Sequence, residues 1–244
     1  MINVLRKIWA VYGAVVFFVQ ILIWTPITTI AFLIFGRRAE RVIIWMGHHI
    51  IAPVTLLLSG VFRKQHGREV LKGKGPFVIV SNHRSFLDIL INASAFPDIY
   101  KFLSKKEMTK IPVWGLTVER LCILVDRKSP ESRAESVERM RQALQSGFSI
   151  LLYPEGTRNR GDQPLTDFYD GAFRLAAETG FPMAVMTLND PRKYNDPIRE
   201  LDLSPGLVHV YWDVIEETGS QTVEQLREKT RALMLSHLQN LSGK

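Results

Sequence analysis

The stretch FVIVSNHRSFLDIL, residues 77–90, runs from an unbroken apolar segment straight into Asn82 and His83, with Asp88 five positions after the histidine. A short apolar run bounded by polar residues reads as a buried strand. The residues after it read as a turn and a helix start, with Ser85 available as the cap. Five residues of regular helix rotate by about 500° at 3.6 residues per turn, so one helix cannot bring His83 and Asp88 together. A turn between them can.

The same alternation continues outward from this stretch. Further strands are expected at 100–104 (YKFLS), 121–126 (LCILVD), 148–153 (FSILLY), 183–188 (MAVMTL) and 207–214 (LVHVYWDV). Between them lie helical patterns, the clearest over 130–146: Ser129 suits the N-cap, Pro130 the first turn and Gly147 the end. Strands alternating with helices predict an α/β fold, a mostly parallel central sheet flanked by helices. Residues 222–238 give a further amphipathic helix to cover the sheet. With no repeat, low-complexity tract or long linker, residues 63–244 read as one domain.

Residues 1–62 have a different character. Residues 8–36 contain no Asp, Glu, Lys or Arg, and residues 42–62 form a second uncharged stretch interrupted by His48, His49 and Pro53. The first is long enough to span a bilayer and lacks the cleavage site of a signal peptide, so it is expected to be retained. Pro26 and Pro53 each remove a helical hydrogen bond and are expected to kink or end their helices. Arg6 and Lys7 precede the first stretch, Arg37, Arg38 and Arg41 separate the two, and Arg63, Lys64 and Arg68 come after the second. A full crossing would put one of the first two clusters outside, against the positive-inside tendency. The expected arrangement is a helical hairpin embedded from the cytoplasmic face of the membrane, with two full spans or a buried soluble hairpin as alternatives.

Charge follows the same division. Residues 1–128 carry 18 Lys/Arg against 7 Asp/Glu, whereas residues 129–244 carry 13 against 17. A basic half that is also the apolar half suits an anionic membrane surface or anionic substrates. Nucleic acid would call for basic residues interleaved with exposed aromatics, a stripe that the sequence lacks. The one cysteine, Cys122, rules out an intramolecular disulfide and any multi-thiolate zinc site. It reads as a buried strand residue, and no metal site is read.

In open α/β sheets, functional groups gather beyond the carboxyl ends of the strands. Asn82, His83 and Asp88 stand at one such end. A carboxylate that holds one ring nitrogen fixes the tautomer and leaves the other to take a proton from a hydroxyl. YPEGTRNR, residues 153–160, stands at another. Gly156 permits close backbone approach, and Arg158 and Arg160 offer planar forks suited to phosphate. Glu155 is free to order the arginines or to bond a substrate hydroxyl. Arg127 with Lys128, and Lys105 with Lys106, follow two more strand ends. No Gly-x-Ser-x-Gly elbow is present.

Taken together, these residues resemble the glycerolipid acyltransferases, in particular the 1-acyl-sn-glycerol-3-phosphate acyltransferases. The family's Asn-His, four residues, Asp motif is similar to Asn82, His83 and Asp88. Its Pro-Glu-Gly-Thr-Arg motif is similar to Pro154, Glu155, Gly156, Thr157 and Arg158, with Tyr153 where Phe is usual. Its hydrophobic strand ending in Arg is similar to Ile123, Leu124 and Arg127, with Leu121 where Gly is frequent. Its fourth motif has two prolines three apart, whereas this sequence has Pro182 and then Val185.

The resemblance implies transfer of a fatty acyl group from acyl-CoA or acyl-carrier protein to the sn-2 hydroxyl of lysophosphatidic acid, yielding phosphatidic acid without a cofactor. It implies His83 as general base, oriented by Asp88. Asn82, Arg84, Lys105, Arg127, Glu155, Gly156, Thr157 and Arg158 are implied to bind substrate. Backbone N–H groups near His83 or Gly156, or a basic side chain, are the candidates for stabilising the oxyanion. The departure at Val185 leaves another lipid acceptor, an acyl-amino-acid lipid or a lipid glycan, as the alternative. A noncatalytic anionic-lipid binding protein is the reading from a different class.

Overall fold

The apolar runs assemble into a single seven-stranded sheet. The structure, a computed structural model, describes residues 2–110, 114–126, 128–199 and 201–239. Its strands are β1 (Val61–His66), β2 (Val78–Ser81), β3 (Tyr100–Lys105), β4 (Ile123–Val125), β5 (Ser149–Leu152), β6 (Met183–Leu188) and β7 (Gly206–Ile215). They lie in the order β1-β7-β6-β2-β5-β3-β4. From β6 to β4 all neighbours are parallel, β7 runs antiparallel to β6, and β1 is parallel to β7. The carboxyl ends of β6, β2, β5, β3 and β4 therefore share one edge.

The helices are α1 (Ile2–Phe35), α2 (Ala39–Met46), α3 (Ala52–Leu58), α4 (Leu87–Ala95), α5 (Trp114–Leu121), α6 (Pro130–Gln145), α7 (Gly171–Thr179) and α8 (Val223–Gln239). Every residue of β2 and of β6 is buried, which is why both read as continuous apolar runs. Val78 and Val80 point into a core with Met140 of α6, Phe173 of α7 and Met234 of α8. Ile79 points the other way, among Leu56 of α3 and Ile91 of α4. Each such fully buried side chain contributes about 1.5–3 kcal/mol. The α6 ends are as expected: Ser129 Oγ accepts the Ser132 N–H at 3.0 Å, Pro130 opens the helix, and Gly147 comes after it at φ +82°.

Four sequence expectations are altered. Pro26 lies inside α1, which continues unbroken for 34 residues, and Thr28 Oγ1 bonds the Thr25 carbonyl nearby. Pro53 stands at the start of α3, where a missing N–H costs little, and a π-helical turn, Gly47–Ile51, joins α2 to α3. Cys122 falls between α5 and β4 rather than within a strand. Residues 61–66 form an extra strand, which begins on the apolar side of residue 63 and pairs with β7 from Val61↔Gly206 to His66↔Tyr211.

The N-terminal helices are apolar on the outside. Val4, Ile8, Val15, Phe18, Leu22, Leu33 and Ile34 are all exposed. Residues 3–35 and 39–58 are each long and apolar enough to cross a membrane, and only 11 % of the most apolar window of the first is buried. A core helix would be covered. An apolar helix left this open points to association with a membrane.

Candidate active site

β2 delivers its chain to the shared edge, where Asn82 extends the sheet with a side chain. Asn82 Nδ2 donates to the Leu188 carbonyl at 2.9 Å, and the Leu188 N–H donates to Asn82 Oδ1 at 2.8 Å. The amide thus replaces a ladder step between β2 and β6 and is buried there. The next residue, His83, leaves the sheet with its imidazole 14 % exposed.

The turn expected between His83 and Asp88 is present, and Asp88 organises it. In the first turn of α4, Asp88 Oδ2 accepts His83 Nδ1–H at 2.8 Å, the Arg84 N–H at 2.6 Å and the Ser85 N–H at 2.8 Å. Ser85 Oγ accepts the Leu87 N–H at 3.1 Å. Asp88 is completely buried, and one of its oxygens takes all three donors. With Nδ1 occupied, Nε2 is the free ring nitrogen, and no described residue bonds it. That is the geometry of an oriented general base.

Tyr153, at the end of β5, lies flat against the His83 ring, centroids 3.9 Å apart. Burial, and beside it the Asp88 carboxylate, push its phenol well above the usual range, so it stays protonated. Glu155 is 2 % exposed. Its Oε1 accepts the His83 N–H at 2.9 Å, while Oε2 accepts the Thr166 N–H at 2.9 Å and the Thr166 hydroxyl at 3.0 Å. Both oxygens are engaged with protein, so Glu155 neither orders the arginines nor reaches outward to a substrate hydroxyl. It fixes the backbone of His83. The Asn159 N–H donates to the His83 carbonyl at 2.7 Å and completes that hold.

Gly156 has φ +70°, and a Cβ there would meet the Tyr169 ring at 2.8 Å. Thr157 is exposed beside it. The Arg158 guanidinium stacks 3.5 Å above the Phe86 ring, and its buried Nη1 has no acceptor among the described residues. Burial, and then Arg160, lower its pKa, though a guanidinium remains cationic. Arg84 is buried, with Nη2 on the Gly161 carbonyl at 3.1 Å and Nε unpaired among the described residues. Lys105 is exposed at the end of β3. Arg127 lies outside the described residues.

Four of the backbone donors near His83 and Gly156 are already taken. The N–H groups of His83, Arg84, Ser85 and Gly156 bond Glu155, Asp88, Asp88 and the Tyr153 carbonyl. Among the described residues, Arg84 Nε and Arg158 Nη1 are buried side-chain donors without a partner.

An apolar cavity of about 180 Å³ lies between the N-terminal helices and α4, lined by Phe17, Trp24, Ile51, Ile89, Leu90, Tyr100 and Cys122 among others. Ile89 and Leu90 directly follow Asp88, so one helix carries both the carboxylate and a wall of the cavity. Burial pushes the Cys122 thiol up to about 12, so it lines the cavity as a neutral group.

The sequence model of the family described as Acyltransferase matches residues 63–188, just over half of the chain. The chain belongs to the Acyltransferase family. It is 38 % identical over 146 residues to a chloroplastic 1-acyl-sn-glycerol-3-phosphate acyltransferase of Brassica napus, covering 58 % of this chain and 42 % of that protein. A 1-acyl-sn-glycerol-3-phosphate acyltransferase of Borreliella burgdorferi is 28 % identical over 162 residues, 65 % of this chain and 64 % of that one. The chain therefore spans less than two thirds of these relatives' lengths. Its fold is that of the crystal structure of the 1-acyl-sn-glycerophosphate acyltransferase PlsC from Thermotoga maritima, with a TM-score of 0.84 and 19 % identity over 100 % of this chain and 99 % of that one.

The acyltransferase fold explains the family's motif spacing: Asn82 to Asp88 and Tyr153 to Arg158 meet because β2 and β5 are neighbours. Sequence reasoning missed Phe86, Thr166, Asn159 and Asn195. Phe86 was visible as a large aromatic in a polar turn. The others carry no local signal.

Proposed function

We propose that this chain transfers a fatty acyl group from the thioester of acyl-CoA or acyl-carrier protein to the free sn-2 hydroxyl of 1-acyl-glycerol-3-phosphate, making phosphatidic acid. The observation that carries the reading is the His83–Asp88 pair at 2.8 Å, set beside unpaired arginine donors and an apolar cavity that shares α4.

His83 Nε2 takes the acceptor's hydroxyl proton as that oxygen bonds to the thioester carbonyl carbon. The oxyanion so formed is held by Arg84 or Arg158. Its collapse breaks the C–S bond, and the leaving thiolate takes the proton from the imidazolium. The thioester is already activated, so neither an acyl-enzyme nor a cofactor is required. Arg158 binds the acceptor phosphate, with Arg84, Lys105 and Arg127 as further cations. The role of Asn82, Glu155 and Gly156 is to hold the edge on which these groups stand, and the apolar cavity receives an acyl chain.

The N-terminal helices hold this site at the cytoplasmic face of the membrane, where acceptor and product reside. At 1.5 Å per residue, α1 is about 51 Å long against a hydrocarbon core of about 30 Å. It therefore lies strongly tilted or along the leaflet.

The test is to incubate membranes containing the protein with lysophosphatidic acid and labelled acyl-CoA, wild type beside His83→Ala. Phosphatidic acid from the wild type alone supports the reading. Product from neither, with acyl-carrier protein as donor also tried, turns it towards another lipid acceptor, the alternative that Val185 motivates. An acceptor without phosphate would leave Arg158→Ala nearly as active as wild type.

A further inference from the structure

The start of α1 is fastened to the loop between β6 and β7 by one residue. Arg6 Nε and Nη2 bond the two carboxylate oxygens of Asp202, the latter at 2.7 Å. Arg6 Nη1 reaches Ser204 Oγ at 2.9 Å, and Nη2 also reaches the Lys193 carbonyl at 3.0 Å. Asp202 is buried and accepts the Asp196 N–H at 2.9 Å. Its own carbonyl accepts Asn195 Nδ2–H at 2.6 Å.

Asn195 then turns its other end to the turn between His83 and Asp88. Its Oδ1 accepts the Phe86 N–H at 3.2 Å and lies 2.9 Å from Ser85 Oγ. Four consecutive N–H groups, from Arg84 to Leu87, are thereby satisfied by side chains: two by Asp88, one by Asn195 and one by Ser85. Asn195→Ala removes the acceptor of the Phe86 N–H, which comes from outside the turn, while the Asn195 backbone carbonyl stays 2.9 Å from Ser85 Oγ. The same turn carries Phe86, on which Arg158 rests, so base and anion-binding group both depend on it.

We propose that Asn195 and Asp202 are positioning residues through which the seating of α1 by Arg6 sets the geometry of the His83–Asp88 turn. The effect on catalysis rests on the acyl-transfer reading above, whereas the effect on the turn does not. The helix that meets the membrane is thus part of what orders the site.

Hydrogen exchange by mass spectrometry on the full chain in lipid nanodiscs reads the turn directly, through a peptide covering residues 84–88. Asn195→Ala and Arg6→Ala are each expected to speed exchange there roughly fivefold, the loss of about one net hydrogen bond. Arg6→Lys should recover part of the protection. The double variant should be no worse than Asn195→Ala alone, because the two act in series. Trp9→Phe is the control: it removes the Trp9 Nε1–H bond to the Ser59 carbonyl at 2.9 Å, which loosens α1 by a route that does not reach Asn195.

In acyl-transfer assays the two alanine variants should lower kcat and raise the KM for lysophosphatidic acid while membrane retention is unchanged. Exchange at 84–88 unchanged in both variants overturns the proposal, as does an equal increase in Trp9→Phe. If the wild type transfers nothing yet the exchange pattern holds, the coupling stands and the acceptor reading falls.

Discussion

The phenol ring of Tyr153 stacks on the His83 imidazole with centroids 3.9 Å apart and planes 15° from parallel. Its hydroxyl accepts Asn92 Nδ2–H at 3.0 Å. The ring positions the base and the hydroxyl serves the core, so the two functions are separable. Tyr153→Phe should retain wild-type kcat within about threefold yet lose about 1–3 kcal/mol of stability, because a buried Asn92 donor is left unpaired. Tyr153→Ala should lose at least about tenfold in kcat as the imidazole gains freedom. Initial rates and denaturant unfolding, measured on the same preparations, check both.

Removing the base and removing its orienting carboxylate should look alike. His83→Ala is expected to lower kcat by roughly 10²–10⁴-fold, the usual worth of a positioned general base. Asp88→Asn should fall in the same range, and the double variant should be no slower than the slower single, since the two act as one unit. Steady-state kinetics of the three variants decide it.

Glu155 tests whether a motif residue can matter without meeting substrate. Glu155→Gln replaces one of two acceptor oxygens by a donor facing donors already in place, the His83 N–H or those of Thr166. The expected result is a lower melting temperature and a kcat reduced roughly ten- to hundredfold, with the acceptor KM little changed. A KM increase with full stability would instead mark direct contact with the acceptor.

Arg158 should govern acceptor binding. Arg158→Ala is expected to raise the KM for lysophosphatidic acid by about 10²-fold, the worth of a charge-assisted contact. Arg158→Lys should recover little, because an ammonium supplies neither the planar fork nor the stack on Phe86. Phe86→Leu should fall between wild type and Arg158→Ala when the three are compared at varied acceptor concentration.

Acid should undo the fastening of α1 at Asp202. Burial opposes ionisation of that carboxyl, but Arg6 and the Asp196 N–H together outweigh it and hold the pKa below the usual range. A depressed folded pKa means stability that is present above the unfolded value of about 3.9 and is lost as pH falls through the folded one. Wild type should therefore exceed Arg6→Ala in stability near neutrality, and the two should converge below about pH 4. Denaturant unfolding across a pH series gives both curves.

Much of this was legible in the residues. Every residue of β6 was expected because five of its six positions are apolar, with only Thr187 among them, and α6 because Ser129, Pro130 and Gly147 mark both its ends. β1 was not, since Arg63, Lys64 and Gln65 break the apolar pattern, as the edge of a sheet permits. At the site, His83 and Asp88 were found because a turn chemistry joins them over five residues. Asn195 and Asp202 were not, because they reach Ser85 and Arg6 across 110 and 196 residues, and no local pattern reports such a meeting. The double occupation of Glu155 was hidden for the same reason: Thr166 comes from a loop with no periodicity.

Only Ser59 and Gly60 separate α3 from β1, the Gly60 carbonyl accepts the Gly206 N–H at 3.0 Å, and a Cβ on Gly60 would meet Pro205 at 3.0 Å. A short, hydrogen-bonded joint of this kind couples the N-terminal helices to the sheet. On the acyl-transfer reading, a site coupled in this way to membrane-associated helices would meet its acceptor by diffusion in the plane of the leaflet. Its rate would then follow the mole fraction of lysolipid among its neighbours and fall on dilution with inert lipid, however little the bulk concentration changes.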